Sequence, residues 1–175
     1  MKRLILWAPL ALFLIFMITV AVGLYAPADR KITSRLIGKP VPEFALEPAV
    51  ASHPTLSSAD LKRGEPRLVN LFASWCVPCI AEAPQLLELK RRGIPIDAIA
   101  IRDRPQDVAA FLAKWGDPYQ RIASDPNTQV QIALGSSGVP ETFVVDGRGV
   151  IRYQHIGDIR PEQVPEIVRA YEAAR

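Results

Sequence analysis

Hydrophobic and polar positions divide the chain into segments of different period. From Leu4 to Tyr25 the run LILWAPLALFLIFMITVAVGLY holds no charged residue over 22 positions. At about 1.5 Å per residue that spans a hydrocarbon core of roughly 30 Å, which predicts a transmembrane helix. Pro9 is tolerated near its first turns. The following APADRKITSRLIGKPVPEF is polar and carries Pro27, Pro40 and Pro42, so residues 26–37 read as a tether leading to an extended segment and the domain is expected over 38–175.

Within that domain the period switches repeatedly. TLSSADLKRGEP offers Ser57 or Ser58 as a cap to one or two helical turns that end at Gly64. RLVNLFA and IPIDAIAIRD are short apolar runs of the kind buried strands show. Between them, VPCIAEAPQLLELKRRG sets Ile80, Leu86, Leu87 and Leu89 among charges and ends in basic residues and Gly93, which predicts a helix kinked at Pro84. PQDVAAFLAKWG predicts a helix from Pro105 to Gly116, YQRIAS a short strand, and DPNTQVQIALG a helix capped by Asp125. ETFVVDGRGVIRYQHIG predicts a hairpin around Asp146 and Gly147, and RPEQVPEIVRAYEAA a closing amphipathic helix. The order is α/β, and it predicts a mixed central sheet with helices on both faces.

Charge adds a topology and excludes a class of partner. The chain has 21 basic against 18 acidic residues, and setting aside Lys2 and Arg3, which precede the apolar run, leaves 19 against 18. That balance provides no footprint for nucleic acid. Lys2 and Arg3 favour a cytoplasmic N-terminus, which sends the domain across the membrane, although Arg30 and Lys31 weaken the asymmetry. A cleaved signal peptide is the rival reading, with APA at 26–28 as a loose cleavage site, but the apolar run is longer than such peptides carry. Both readings put the domain outside the cytoplasm.

The only two cysteines, Cys76 and Cys79, lie three positions apart in NLFASWCVPCIAEAP. A bridge across two residues restrains the unfolded chain little, so the pair reads as chemical, with a structural pair left as the alternative. Zinc needs four ligands, and only the distant His53 and His155 could join. Haem attachment needs His after the second cysteine, where Ile80 stands. Cys76 falls at the turn from strand to helix and Cys79 one helical turn on, so the two can close a disulfide. The helix dipole and free N–H groups favour a thiolate at the exposed helix start, making Cys76 the expected nucleophile and Cys79 the resolving thiol. No metal and no cofactor beyond this redox-active pair is expected. Trp75 is read as a platform shielding the sulfurs, Trp115 as packing, and His155 as structural.

WCVPC at a strand-to-helix turn, a proline five residues past the second cysteine and GVPETF before a hairpin resemble the thioredoxin-like superfamily over residues 38–175. The anchor, GKPVPEF, the AE after the motif and GVPETFVVDGRGVIRYQHIG resemble the CcmG/DsbE family within it. The resemblance implies a thioredoxin-like fold and a membrane-tethered thiol:disulfide reductase of cytochrome c maturation, on the inner membrane and facing the periplasm. Its partners would be apocytochrome c or a maturation thiol protein, with a membrane thiol electron donor. It also implies that Pro140 is cis, that Val139 pairs its backbone with substrate, and that Glu82 and Glu141 are acidic groups near the cysteines, where a carboxylate can take a proton from the buried thiol. Solvated surface glutamates are the competing reading of the pair. Asn70 stands where thioredoxin has a buried Asp, and an amide cannot shuttle a proton.

Three other functions compete. A general extracytoplasmic reductase for clients such as copper-site assembly proteins shares every residue above. Copper delivery wants soft ligands, and only Met1 and Met17 occur, both N-terminal. A peroxidase of the peroxiredoxin kind is suggested by GKPVPEFAL, but FASWC lacks the threonine or proline pattern before its cysteine.

Overall fold

In a computed structural model of the chain, residues 2–25 and 36–175 are described. Residues 26–35 of the expected tether, with the APA site, Arg30 and Lys31, lie outside them. The described residues form two units, taken in turn.

The first is one helix, α1 (Lys2–Tyr25), which includes Pro9. Its described side chains, Trp7 and those of residues 9–23, are exposed. The Thr19 hydroxyl donates to the Ile15 carbonyl at 2.8 Å, so this polar group is satisfied within the helix. Among the described residues no helix is long and apolar enough to cross a membrane.

The second unit is built on a six-stranded sheet in the order β1-β4-β3-β2-β5-β6. Its elements are β1 (Glu47–Pro48), β2 (Arg67–Phe72), α2 (Val77–Arg91), β3 (Ile96–Ile101), α3 (Pro105–Trp115), β4 (Arg121–Asp125), α4 (Gln129–Ala133), β5 (Glu141–Val145), β6 (Ile151–Ile156) and α5 (Val164–Ala173). β2, β3 and β4 run parallel; β1 pairs antiparallel with β4, and β5 lies antiparallel between β2 and β6. The mixed sheet is as expected. β1, two residues long, carries no signal that would separate it from the extended segment in which it lies.

Alternation along β2 decides what each face buries. Leu68 and Phe72 join the core under α2, α3 and α5, with Leu86, Leu89, Phe111, Val164 and Ile167. Val69 and Leu71 join the opposite core with Val130, Leu134 and Leu61. Two successive parallel crossovers, β2-α2-β3 and β3-α3-β4, of one hand put α2 and α3 on the same face. β3 is divided to match: Ala98 and Ala100 face those helices, while Ile99 and Ile101 fill the other side. Phe72 anchors the first core, with ring centroids 5.5 Å from Phe111 and 5.1 Å from Tyr119.

Several local expectations are sharpened. The stretch ended by Gly64 is one 3-10 turn, Asp60–Lys62, and there Asp60 accepts from the Ser57 N–H and hydroxyl rather than a serine capping the turn. α2 continues through Pro84. Asp125 gathers the amides of Gln129, Val130 and Gln131, all at 2.9 Å, across the start of α4. In the β5–β6 turn Gly147 is fixed by a close approach: a Cβ there would stand 2.3 Å from the Gly64 carbonyl carbon.

Arg67 and Asp97 form a buried ion pair at 2.6 Å, their side chains 7% and 0% exposed. Burial raises the Asp97 carboxyl above its ordinary value in spite of the Arg67 hydrogen bond and charge, and Arg67 Nε and one Asp97 oxygen have no hydrogen-bond partner. The cost of burying the pair therefore offsets much of its attraction. Asp97→Ala should cost about 3–5 kcal/mol by stranding the guanidinium, and adding Arg67→Met should recover most of that loss. Urea unfolding of the single and double variants measures both.

Candidate active site

The strand-to-helix junction sets the two sulfurs. β2 ends at Phe72, residues 73–75 turn, and Cys76 becomes the N-cap of α2 with Pro78 in the first turn. Cys76 and Cys79 are joined as a disulfide with Cα atoms 5.3 Å apart. The Cys79 N–H points at Cys76 Sγ, 3.2 Å away, so one of the helix's unsatisfied amides is aimed at the sulfur that would carry charge after reduction. Exposure does not separate the two cysteines as expected: in the disulfide they are 4% and 2% exposed. The asymmetry lies in the cap position and its N–H.

The turn is braced from the residues that follow β3. Asp103 accepts from the Ser74 N–H and, at 2.7 Å, from its hydroxyl. Arg102 takes a φ of 50°, in the left-handed region, and its carbonyl accepts from Trp75 Nε1 at 3.3 Å. Trp75 is 59% exposed and with Ile80, Arg102, Phe111 and Trp115 lines a cleft of about 670 Å³. Trp115 is thus not wholly packing: its ring is exposed, with Lys114 Nζ 4.8 Å from its centroid.

Beneath the pair lies a polar cluster. Glu82, one turn past Cys79, has no exposure at all, which overturns the solvated-surface reading. Its carboxylate accepts from Asn70 Nδ2 at 3.0 Å and from the Ile159 N–H at 3.1 Å. Asn70 Nδ2 also donates to Thr142 Oγ1 at 3.0 Å, and Asn70 Oδ1 accepts from the Tyr119 hydroxyl at 2.9 Å. Burial pushes the Glu82 carboxyl up to about 7; its two hydrogen bonds oppose this and the Asp158 charge adds to it. Burial, then the charges of Glu82 and Asp117, hold the Tyr119 phenol well above its ordinary value.

Glu141 is equally buried but belongs elsewhere. Thr142 pairs with Asn70 across β2–β5, so Glu141, one residue earlier, points with Phe143 and Val145 to the opposite face. Its carboxylate accepts from the Ser137 N–H and hydroxyl, at 2.8 and 2.6 Å, and from Gln154 Nε2 at 2.9 Å. It braces the loop that leads to the cis Val139–Pro140 bond. That bond has the geometry the resemblance implied, and half-buried Val139 packs against the core cluster that contains both cysteines. His155 lies beside Thr142 in the sheet, and its Nε2 is 3.2 Å from the Asp158 carbonyl, in keeping with a structural role. Among the described residues no group of His, Cys, Asp and Glu could hold a metal ion. Tyr119, Thr142 and Asp103 escaped the sequence reading, because nothing in their neighbours' chemistry marks them.

The Redoxin family model matches residues 36–171. The chain is 42% identical over 160 residues to a thiol:disulfide interchange protein DsbE of Pseudomonas fluorescens biotype C, covering 91% of this chain and 88% of that one. It is 43% identical over 129 residues to the thiol:disulfide interchange protein HelX of Rhodobacter capsulatus, covering 74% and 73%. To DsbE of Escherichia coli K12 it is 35% identical over 173 residues, covering 97% and 94%. Among solved structures, a thioredoxin family thiol:disulfide interchange protein of Chlorobium tepidum TLS superposes with a TM-score of 0.62 at 24% identity, over 81% of this chain and 98% of that one. A secreted disulfide oxidoreductase of Mycobacterium tuberculosis does so with a TM-score of 0.62 at 18% identity, over 75% and 96%. These two show the fold, which is thioredoxin-like.

The raised Glu82 carboxyl makes stability depend on pH. The folded chain holds this proton up to about pH 7 and an unfolded one only to about 4.5, so the contribution is complete below the lower value and lost as pH rises through the upper. Between about pH 5 and about pH 8 the oxidised protein should lose on the order of 2 kcal/mol of stability that Glu82→Gln, whatever its own stability, does not lose. Urea midpoints at the two pH values measure the difference; parallel losses would remove the assignment.

Proposed function

The chain belongs to the Redoxin family and, within it, to the DsbE and HelX thiol:disulfide interchange proteins. It is a thiol:disulfide oxidoreductase, and from that premise we propose that it is a membrane-anchored reductant of cytochrome c maturation that keeps the haem-binding cysteines of apocytochrome c reduced. The observation that carries this reading is the Cys76–Cys79 disulfide at the N-cap of α2, with buried Glu82 one turn beyond it.

In the reducing direction the Cys76 thiolate attacks a client disulfide, forming a mixed disulfide and expelling one client thiolate. The Cys79 thiol then gives its proton to Glu82, and its sulfur attacks Cys76 Sγ. The second client thiolate leaves and the Cys76–Cys79 disulfide closes. Two electrons pass to the client, and two protons reach its thiols, one from Glu82 and one from solvent. A membrane thiol donor resets the pair by the reverse exchange. Val139, before the cis proline, offers backbone groups for an extended client, and Trp75 an exposed platform beside it. Glu141 serves by fixing the loop that carries Val139.

The direction of flow follows from charge. Oxidants of this fold stabilise the reduced pair's thiolate. Here the one N–H aimed at Cys76 works against the buried carboxylate of Glu82, which disfavours a second negative charge nearby and so favours the disulfide. α1, with its uncharged run and flanking Lys2 and Arg3, is the anchor of this reading. It holds the domain of residues 38–175, through the 26–37 tether, on the periplasmic side of the inner membrane.

Equilibration with glutathione should give a potential well below about −120 mV, the value of a strong dithiol oxidant. Cys79→Ser should trap client as a mixed disulfide and Cys76→Ser almost none. The trapped peptides should be those carrying the CxxCH of apocytochrome c, or a maturation thiol protein. A capture dominated by unrelated secreted proteins would establish the general reductase instead, and equal yields from both variants would overturn the nucleophile assignment.

A further inference from the structure

The Tyr119 phenol is buried and its one hydrogen bond is to Asn70 Oδ1 at 2.9 Å. It lies far from the cysteines in sequence, just before β4, and touches neither sulfur nor carboxylate in the contacts described. Its chemistry nonetheless constrains both. A buried hydroxyl needs an acceptor for its proton, and an amide nitrogen provides none. If the Asn70 amide were turned over, Tyr119 O–H would face the NH₂ group and lose its acceptor. Nδ2 would then no longer reach Glu82 and Thr142, and Oδ1 would face the carboxylate.

The geometry points to Tyr119 as a positioning residue that locks the Asn70 amide with its NH₂ toward Glu82, so that Glu82 is kept able to ionise and accept the proton of Cys79. The lock acts through a second residue: Tyr119 O–H to Asn70 Oδ1, Asn70 Nδ2 to Glu82 Oε1 at 3.0 Å. A donor facing the carboxylate favours its charged form, whereas an amide oxygen in that place would favour the protonated acid. Asn70 cannot shuttle a proton, but held in one orientation it sets the poise of the group that can.

Other charged or titratable groups also face this cluster. Asp158, on the β6–α5 connection, opposes ionisation of Glu82. Asp117, two residues before Tyr119, acts on the phenol. His155 on β6 bonds the Asp158 carbonyl, and Cys79 lies on α2 itself. None of these orients the amide: Thr142 Oγ1 accepts from Nδ2, and Tyr119 alone donates to Oδ1 in the hydrogen bonds described.

The inference rests on Glu82 receiving the resolving thiol's proton, and its first readout tests the lock apart from that reading. In the full-length chain, carboxyl-labelled glutamate observed by 13C NMR and assigned with Glu82→Gln follows Glu82 directly. Tyr119→Phe should raise its midpoint by about one pH unit, a tenfold shift in ionisation. Tyr153→Phe, which deletes a phenol hydroxyl bonded to Glu166 at 3.1 Å, should leave it in place. The pH at which mixed-disulfide release becomes half-maximal should move with the midpoint. An unchanged or lowered midpoint in folded Tyr119→Phe overturns the lock. A raised midpoint with an unmoved release profile retains the lock and overturns the role of Glu82 in proton transfer. Should Tyr119→Phe fail to fold, proton contacts of the Asn70 side-chain NH₂ in the unmodified protein decide: neighbours on Thr142 and α2 support the orientation, and neighbours on the Tyr119 hydroxyl overturn it.

Discussion

A carboxylate taken fully out of water must find donors or give up its charge, and Glu82 is held between those outcomes. Its two donors come from opposite ends of the chain's path: Asn70 on the strand before the cysteines, and the Ile159 amide on the connection before the last helix. Supplying both requires β2, α2 and the β6–α5 connection to meet at one place. That requirement ties the closing helix to the active end. Burial against these two donors holds the group near neutrality rather than fully ionised, the poise that the proposed proton transfer from Cys79 would use.

The sheet makes this possible by alternation. Leu68 and Phe72 fill the core under α2 and α3, and Asn70 between them must face the same way, so a polar side chain is carried into an apolar layer by the register of its neighbours. Thr142 enters from the paired strand and Tyr119 from across Phe72, and each satisfies part of the amide. Three hydrogen bonds occupy both amide protons and the amide oxygen, which is why an asparagine is tolerated at the centre of the sheet. The same strand begins with Arg67 on the other face, bound to Asp97. One short strand thus places a buried ion pair at one end and the floor of the redox site toward the other.

The two buried glutamates are separated onto opposite faces of the sheet. Adjacent positions on β5 point to opposite faces, so Thr142 joins Asn70 while Glu141 turns away to hold Ser137 and Gln154. The loop leading to Val139 is therefore held by Glu141, while Glu82 stays with Asn70 under α2. On the far side of Cys76, the Asp103 contacts to Ser74 hold the turn, and Trp75 and Trp115 leave a cleft open beside the sulfurs.

Local chemistry made much of this legible in the sequence. The short apolar runs, Pro105 and Gly116 at the two ends of α3, the Asp146–Gly147 turn and the spacing of Cys76 and Cys79 each act over a few residues, and the elements and the redox pair follow from them. β1 was hidden because two residues carry no period. The burial of Glu82, the turning away of Glu141 and the recruitment of Tyr119 were hidden for a different reason. A glutamate on an amphipathic helix looks the same whether it meets water or a sheet, and a tyrosine 49 residues from Asn70 shows no sign of the amide it will bond. Sequence determines which groups exist and which local shapes they favour; only the packing of α2 and α5 on the sheet decides which carboxylate loses its water, because desolvation depends on everything that surrounds it at once.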